Sequence, residues 1–277
     1  MTELALAALF AVFIWWFSTG LILLLDNLPR GTFRWSLVIS SAVAVAALVG
    51  LAHTAGQTSV AGTYCAFTCA LLVWGWHELS FLTGWVTGPR KQALQADAVG
   101  WPRFVQAVQA ILWHELAILA VGVFIVALTW GAPNQTGTAT FLVLWAMRTS
   151  AKLNLFFGVR NLSEEFLPPH LVYLQSYFRR RAMNAFFPFA VAAACAVLAW
   201  LVVRALADTT PPVQALGLTL VGTMLALAIL EHALLVLPVN ATALWRWAMR
   251  HRSKQPASTV PPRPLAEEEA VHVAIVR

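Results

Sequence analysis

The sequence predicts an all-α membrane protein, a polytopic bundle of seven transmembrane helices. Of its 277 residues, 60% are hydrophobic and only 11% are charged, whereas soluble domains contain about 25% charged residues. Several runs lack any ionisable side chain over the roughly 20 residues that a helix needs to cross a bilayer core. This composition excludes a soluble domain, a nucleic-acid-binding domain and a disordered chain.

Seven apolar runs of sufficient length follow one another, separated by polar or Gly/Pro-containing turns such as 56–59, 88–89 and 210–212. We expect α-helices because the bilayer core offers the backbone no hydrogen-bond partners outside the chain. The predicted spans are 4–25, 35–55, 60–86, 104–130, 138–157, 184–206 and 213–237.

Basic residues alternate between the segments that connect these spans. The segments 54–60 and 131–137 contain no Lys or Arg. The alternate segments contain Arg30, Arg34, Arg90, Lys91, Arg103, Arg160, Arg179, Arg180 and Arg181. Because positive loops stay in the cytoplasm, we expect a periplasmic N-terminus and a cytoplasmic C-terminus. We therefore attribute the net charge of +6 to the basic cytoplasmic segments and not to the binding of nucleic acid. Residues 1–250 form one membrane domain, and the polar tail 251–277 is expected to be flexible.

Three of the twelve acidic residues lie inside spans, and each stands beside a histidine. An ionisable residue inside the membrane is costly and indicates a functional site by default. Counted along the spans at about 1.5 Å per residue, the three pairs lie within about one helical turn of each other in depth. We therefore expect them to converge in the cytoplasmic half of the bilayer. The pairs are His77-Glu78, His114-Glu115 and Glu231-His232.

The fifth span adds Arg148, Lys152 and Asn154 to its inner half. Arg148 and Lys152 are four residues apart, so they share one helix face. They could balance excess negative charge or hold an anionic substrate group. The cytoplasmic segment that follows supplies Glu164, Glu165 and His170 as additional candidates.

Three interpretations of these residues stay open. Imidazole and carboxylate ligands could bind iron or another divalent metal, as in a di-metal bundle site. The adjacent spacing differs from the Glu-x-x-His spacing of known di-iron bundles, because neighbours lie about 100° apart around a helix. Alternatively, the glutamates neutralise Arg148 and Lys152 while the histidines complete a hydrogen-bond network. In the third interpretation a histidine is the axial ligand of a bacteriochlorophyll-type or haem tetrapyrrole.

Four motifs resemble a known family. They begin with Phe17-Ser18-Thr19-Gly20 and Asp26-Asn27-Leu28-Pro29-Arg30, and continue with His77 to Arg90, Asn161 to Pro168 and Glu231 to Pro238. Together they are similar to the photosynthetic complex assembly proteins of the PuhE type, which are encoded in the photosynthesis gene clusters of purple and related bacteria. The resemblance covers most of residues 1–250.

The resemblance implies a seven-span protein of the bacterial inner (intracytoplasmic) membrane, needed for normal amounts of reaction centre and core antenna. It also implies a role in bacteriochlorophyll supply. The expected partners are the lipid bilayer and reaction-centre subunits, light-harvesting subunits or pigment-synthesis enzymes. The His/Glu residues themselves leave an alternative to this assembly function. The protein would then be a membrane metal-dependent oxidase or hydroxylase, a di-metal oxidoreductase that acts on a lipophilic pigment precursor.

Overall fold

A computed structural model describes residues 2–237, together with Trp245 and Ala248. These residues form an all-helical fold without strands, apart from one isolated bridge between Val159 and Arg180. The expected tail 251–277 lies outside the described residues. The long helices are α1 (Thr2–Asp26), α2 (Phe33–Ala55), α3 (Val60–Leu82), α4 (Gly100–Leu128), α5 (Thr136–Phe157), α6 (Phe186–Leu206) and α7 (Pro212–Val236).

Six of the described helices are long and apolar enough to cross a membrane, namely all of these except α5. Helix α5 contains Arg148, Lys152 and several hydroxyl side chains, which lower its hydropathy. Large apolar side chains on the outside of other helices, including Phe13, Val38 and Phe189, are more than half exposed. Such an apolar surface is expected where lipid and not water surrounds the protein.

Two predicted boundaries differ from the structure by several residues. The third span ends at Leu82 and not at 86, because Gly84 turns the chain with φ +80°, a conformation that glycine adopts without steric cost. The fourth begins at Gly100 and not at 104. The side chain of Ser59 caps the start of α3 by accepting a hydrogen bond from the Gly62 amide at 3.1 Å.

Helix α3 is the centre of the bundle. It packs against α1, α2, α4, α5 and α7. In its most hydrophobic stretch 72% is buried inside the protein, compared with 17% in the corresponding stretches of α1 and α6. Its residues contribute to three apolar clusters, one around Ala70 and Val73, one around Phe67 and one around Phe81. Polar residues of α3 are therefore enclosed by protein on several sides.

Polar side chains tie the connecting segments together at both ends of the bundle. At one end Asn134 donates from Nδ2 to the carbonyls of Thr54 (3.1 Å) and Gly62 (3.2 Å). At the other end Arg103 donates to the carbonyls of Tyr177 (2.6 Å) and Phe156 (3.0 Å). The segment 158–185 thus lies at the same end as the start of α4.

We predict that Gly137→Ala destabilises the bundle because an added Cβ would contact Leu51 Cδ2 and lie 2.9 Å from the Ala66 carbonyl oxygen. Overpacking of this kind costs about 1–3 kcal/mol. Gly75→Ala is the matched control, since its Cβ would meet only Ile22 Cδ1 at 3.7 Å. Thermal unfolding in detergent should show a lower midpoint for Gly137→Ala and an unchanged or higher one for Gly75→Ala. Equal midpoints would contradict the close approach of α5 to α3.

Candidate functional site

The two members of each His/Glu pair point in different directions. His77, His114 and His232 are at most 2% exposed. The three glutamates are less enclosed than the histidines: Glu78 is 9% exposed, Glu115 is half-buried and Glu231 is exposed. This division follows from the roughly 100° between neighbours on a helix. Each motif therefore supplies an interior imidazole and a carboxylate that faces a neighbouring helix.

Two of the glutamates form ion pairs with α5. Arg148 Nη2 lies 2.8 Å from Glu78 Oε2 on α3, and Lys152 Nζ lies 2.5 Å from Glu115 Oε1 on α4. Arg148 also lies within electrostatic range of Glu115 and Glu231. Since an unpaired charge is costly in a membrane interior, these pairs allow α5 to lie among apolar helices.

His77 and His114 meet inside the bundle. Their ring centroids are 6.5 Å apart in an edge-to-face arrangement. Among the described residues, neither ring nitrogen of His77 has a hydrogen-bond partner, and nor does Nδ1 of His114. Buried polar atoms are nearly always hydrogen-bonded, so these three nitrogens are an exception that calls for an explanation.

Aromatic rings surround the His77–His114 pair. The centroids of Trp76 and Phe141 lie 5.0 Å and 6.0 Å from that of His77, and Phe81 lies 4.5 Å from His114. Trp76 is itself held to α2 by a 2.9 Å hydrogen bond from Nε1 to Ser41 Oγ. The two imidazoles thus lie in an apolar, aromatic environment.

The pair on α7 makes its own contacts. His232 Nδ1 donates to the Ala228 carbonyl at 2.9 Å, so in the neutral ring Nε2 accepts from Ser150 Oγ at 2.9 Å. Glu231 Oε1 accepts a 3.0 Å hydrogen bond from Trp15 Nε1 on α1. Both residues of this pair therefore have partners other than His77 and His114.

Within residues 2–237, no three side chains of His, Cys, Asp or Glu come close enough together to hold a metal ion. The structure brings His77 and His114 together and joins the glutamates to α5. It does not gather all six predicted ligands at one point.

The additional candidates lie at the end of the bundle or in its packing. His170 Nε2 donates to the Leu82 carbonyl at 2.7 Å, and Glu164 lies 3.5 Å from Arg180 in an exposed ion pair. Glu165 is exposed. Asn154 is fully buried, and its Oδ1 accepts a 3.0 Å hydrogen bond from Asn184 Nδ2, which joins the end of α5 to the start of α6.

The contact of the segment 83–90 with α4 was not predicted, because the sequence placed 83–86 in the third span and 88–89 in a turn. The His114 amide donates to the Thr87 carbonyl at 2.9 Å. A Cβ at Gly88 would collide with the carbonyl of Gln109 and lie 2.7 Å from that of Ala110. The only sequence signal was the glycine itself, which permits such close contact between backbones. The segment therefore lies directly on α4 beside the His77–His114 pair.

These features define a polytopic helical membrane protein with a polar cluster inside its bundle. Residues 1–256 match the family described as "Protein of unknown function (DUF3623)". The chain belongs to this DUF3623 family. It is 37% identical over 259 residues to a Rhodobacter capsulatus protein named "Uncharacterized 30.4 kDa protein in puhA 5'region", and the match covers 92% of this chain and 94% of the relative. No solved structure matches the chain.

We predict that Lys152→Met or Glu115→Gln alone destabilises the bundle by about 3 kcal/mol, because removal of one partner leaves the other charge unpaired in a partly buried position. The double variant should recover at least half of this loss. The measurement is the free energy of unfolding of the parent protein, both single variants and the double variant in mixed detergent micelles, which together form a double-mutant cycle.

Glu164→Gln is the control for that cycle, since exposed pairs such as Glu164–Arg180 contribute at most about 1 kcal/mol. If the single variants of the Lys152–Glu115 pair behave like this control, the pair does not stabilise the bundle.

Proposed function

We propose that the protein is an integral membrane factor of the PuhE type, which serves the assembly of the bacterial reaction centre and core antenna through bacteriochlorophyll supply. The relative in the puhA region of Rhodobacter capsulatus supports a place in a photosynthesis gene cluster. The apolar helices support a location in the membrane, which we propose to be the inner (intracytoplasmic) membrane.

We propose that α5 crosses the membrane in addition to the six more apolar helices, which gives seven spans. We also propose a periplasmic N-terminus and a cytoplasmic C-terminus. Helix α5 has 22 residues, a length of about 33 Å at 1.5 Å per residue. Its two charges have ion-pair partners on α3 and α4. The segments 56–59 and 129–135 contain no Lys or Arg, although Arg204 in the last turn of α6 lies near the same end. The segments 83–99 and 158–185 at the other end contain Arg90, Lys91, Arg160, Arg179, Arg180 and Arg181. This difference supports a cytoplasmic position for the second end.

Two single cysteines test whether α5 crosses the membrane, in a background without Cys65, Cys69 and Cys195. Pro133 and Arg160 are exposed on either side of α5. We predict that an impermeant maleimide labels Pro133→Cys in spheroplasts and labels Arg160→Cys only after the membrane is disrupted. Equal labelling of both positions would contradict a seventh span.

We further propose that the His77–His114 pair is the site at which the protein holds its ligand. The observation that supports this proposal is the set of three buried imidazole nitrogens that have no hydrogen-bond partner within the part of the chain that the structure describes. Neutral imidazole nitrogens are metal ligands, and aromatic walls suit a flat apolar ring. A tetrapyrrole, when bound, would supply a metal centre, and His77 or His114 would be the residue to hold it.

The fit is better for one or two histidine ligands than for the full set of three histidines and three glutamates. Glu78 and Glu115 are held by Arg148 and Lys152, and His232 is engaged by Ser150. A metal-dependent oxidase or hydroxylase that uses all six groups would require these contacts to rearrange. These contacts therefore count against the six-ligand di-metal alternative.

Pigment and metal content test this proposal. Protein purified in mild detergent from photosynthetically grown cells should contain a tetrapyrrole absorption band. We expect His77→Gln and His114→Gln together to reduce that band at least fivefold, because both imidazole ligands are lost. His53→Gln is the matched control, since His53 is exposed at the opposite end of the bundle.

Thermal unfolding verifies that the variants are folded. A bound metal without pigment, lost in the same double variant, would favour the oxidase or hydroxylase. Equal pigment and metal in all folded variants would rule out the His77–His114 pair as the ligand site.

A further inference from the structure

A second candidate site lies at the basic end of the bundle. A cavity of about 290 Å³ opens between the α1–α2 connection, the end of α3 and the segment 169–177. We call it the end cavity. Its lining includes Arg30, Phe33, Thr87, Lys91, His170 and Tyr173. It is separate from the His77–His114 pair, and it lies outside the apolar part of the bundle.

The end cavity is positively charged. Arg30 and Lys91 line it, and the described lining residues include no Asp or Glu. Within residues 2–237, the Lys91 Nζ makes one long contact of 3.4 Å, with the Gly84 carbonyl. Both basic residues are exposed, so their charged groups are accessible from the cavity mouth. An anion would therefore find two cations here and no carboxylate among the lining residues.

Two buried hydroxyls lie beside each other among the residues that line the end cavity. Thr87 is 1% exposed, and neither its Oγ1 nor the Tyr173 hydroxyl makes a hydrogen bond of good geometry among the described residues. Burial raises the pKa of Tyr173, and the interaction with the Thr87 hydroxyl lowers it. Two hydroxyls that interact with each other use only one of their two O–H donors. The second donor is costly to leave buried without an acceptor, which is explained if a ligand oxygen accepts from it.

We propose that the end cavity binds a phosphate group. A guanidinium, an ammonium and the remaining hydroxyl donor of the Thr87–Tyr173 pair supply donors to several oxygens at once, which suits a tetrahedral phosphate with three or four acceptor oxygens. The cavity volume also has room for such a group. The phosphate could belong to an anionic lipid headgroup or to a soluble phosphate compound, and both share this recognition chemistry.

The surroundings place the cavity near the level of lipid headgroups. Trp35 and Trp85, which flank it in sequence, are 59% and 64% exposed, and exposed tryptophans are enriched at membrane–water interfaces. The cavity is also joined to the bundle interior, because the Thr87 carbonyl accepts the amide hydrogen of His114. Thr87 therefore lines the end cavity and also contacts His114 of the proposed ligand site. Binding of an anion in the end cavity does not require a pigment at that site.

Native mass spectrometry of the full-length protein in phosphate-free detergent and buffer tests the proposal. One arm titrates inorganic phosphate and the other titrates phosphatidylglycerol. We expect Arg30→Gln/Lys91→Gln to weaken binding at least tenfold. Thr87→Val, which keeps the side-chain shape and removes the hydroxyl, should weaken binding about fivefold. The charge-matched control is Arg34→Gln/Arg160→Gln, whose residues do not line the cavity and whose affinity should stay within twofold of the parent protein.

The two arms distinguish the source of the phosphate. Binding of phosphatidylglycerol alone, with the expected variant effects, identifies a lipid headgroup, whereas binding of inorganic phosphate with the same effects identifies a soluble compound. If neither probe binds, the proposal is wrong. It is also wrong if Arg30→Gln/Lys91→Gln and Thr87→Val, verified as folded by thermal unfolding, bind both probes like the control.

Discussion

The arrangement of the bundle depends on the ion pairs that α5 forms with its neighbours. Arg148 and Lys152 lie one helical turn apart, and they pair with Glu78 on α3 and Glu115 on α4. Without these carboxylates, α5 would place two unpaired cations among apolar helices, at a cost of several kcal/mol in a membrane. With them, the least apolar helix of the fold can pack between α3 and α7. The charges of α5 therefore restrict which faces of α3 and α4 can be turned towards it.

The adjacency of histidine and glutamate gives each motif two separate tasks. Because neighbours are about 100° apart on a helix, Glu78 and Glu115 reach α5 while His77 and His114 stay inside the bundle and meet at 6.5 Å. The carboxylates thus take part in the ion pairs with α5, and the imidazoles do not. The α7 motif follows the same division with different partners, Trp15 for Glu231 and Ser150 for His232.

The segment 83–90 connects the bundle interior to its basic end. It turns at Gly84 and lies against the carbonyls of α4 at Gly88. Thr87, between these two glycines, contacts both α4 and the end cavity. The Thr87 carbonyl binds the His114 amide, while its hydroxyl lines the end cavity. The segment 83–90 is therefore shared by the two proposed sites.

Hydropathy and charge were enough to predict an all-helical membrane fold, and the seven predicted runs correspond to the helices α1 to α7. These properties are local, because whether a run suits lipid depends on its own residues. Membrane crossing by α5 and the orientation of the chain remain predictions. The boundary at Leu82 depends on the backbone conformation of Gly84, which hydropathy does not measure.

The partners of the polar residues depended on three-dimensional packing. The sequence placed six ligand-type side chains at similar depth, but depth says nothing about how each helix is rotated about its axis. That rotation brings His77 to His114, directs Glu231 to Trp15, and leaves the Thr87 hydroxyl in a cavity that residues from three distant segments line. Helix rotation is set by the fit of side chains between neighbouring helices, and contacts of this kind join residues far apart in the chain.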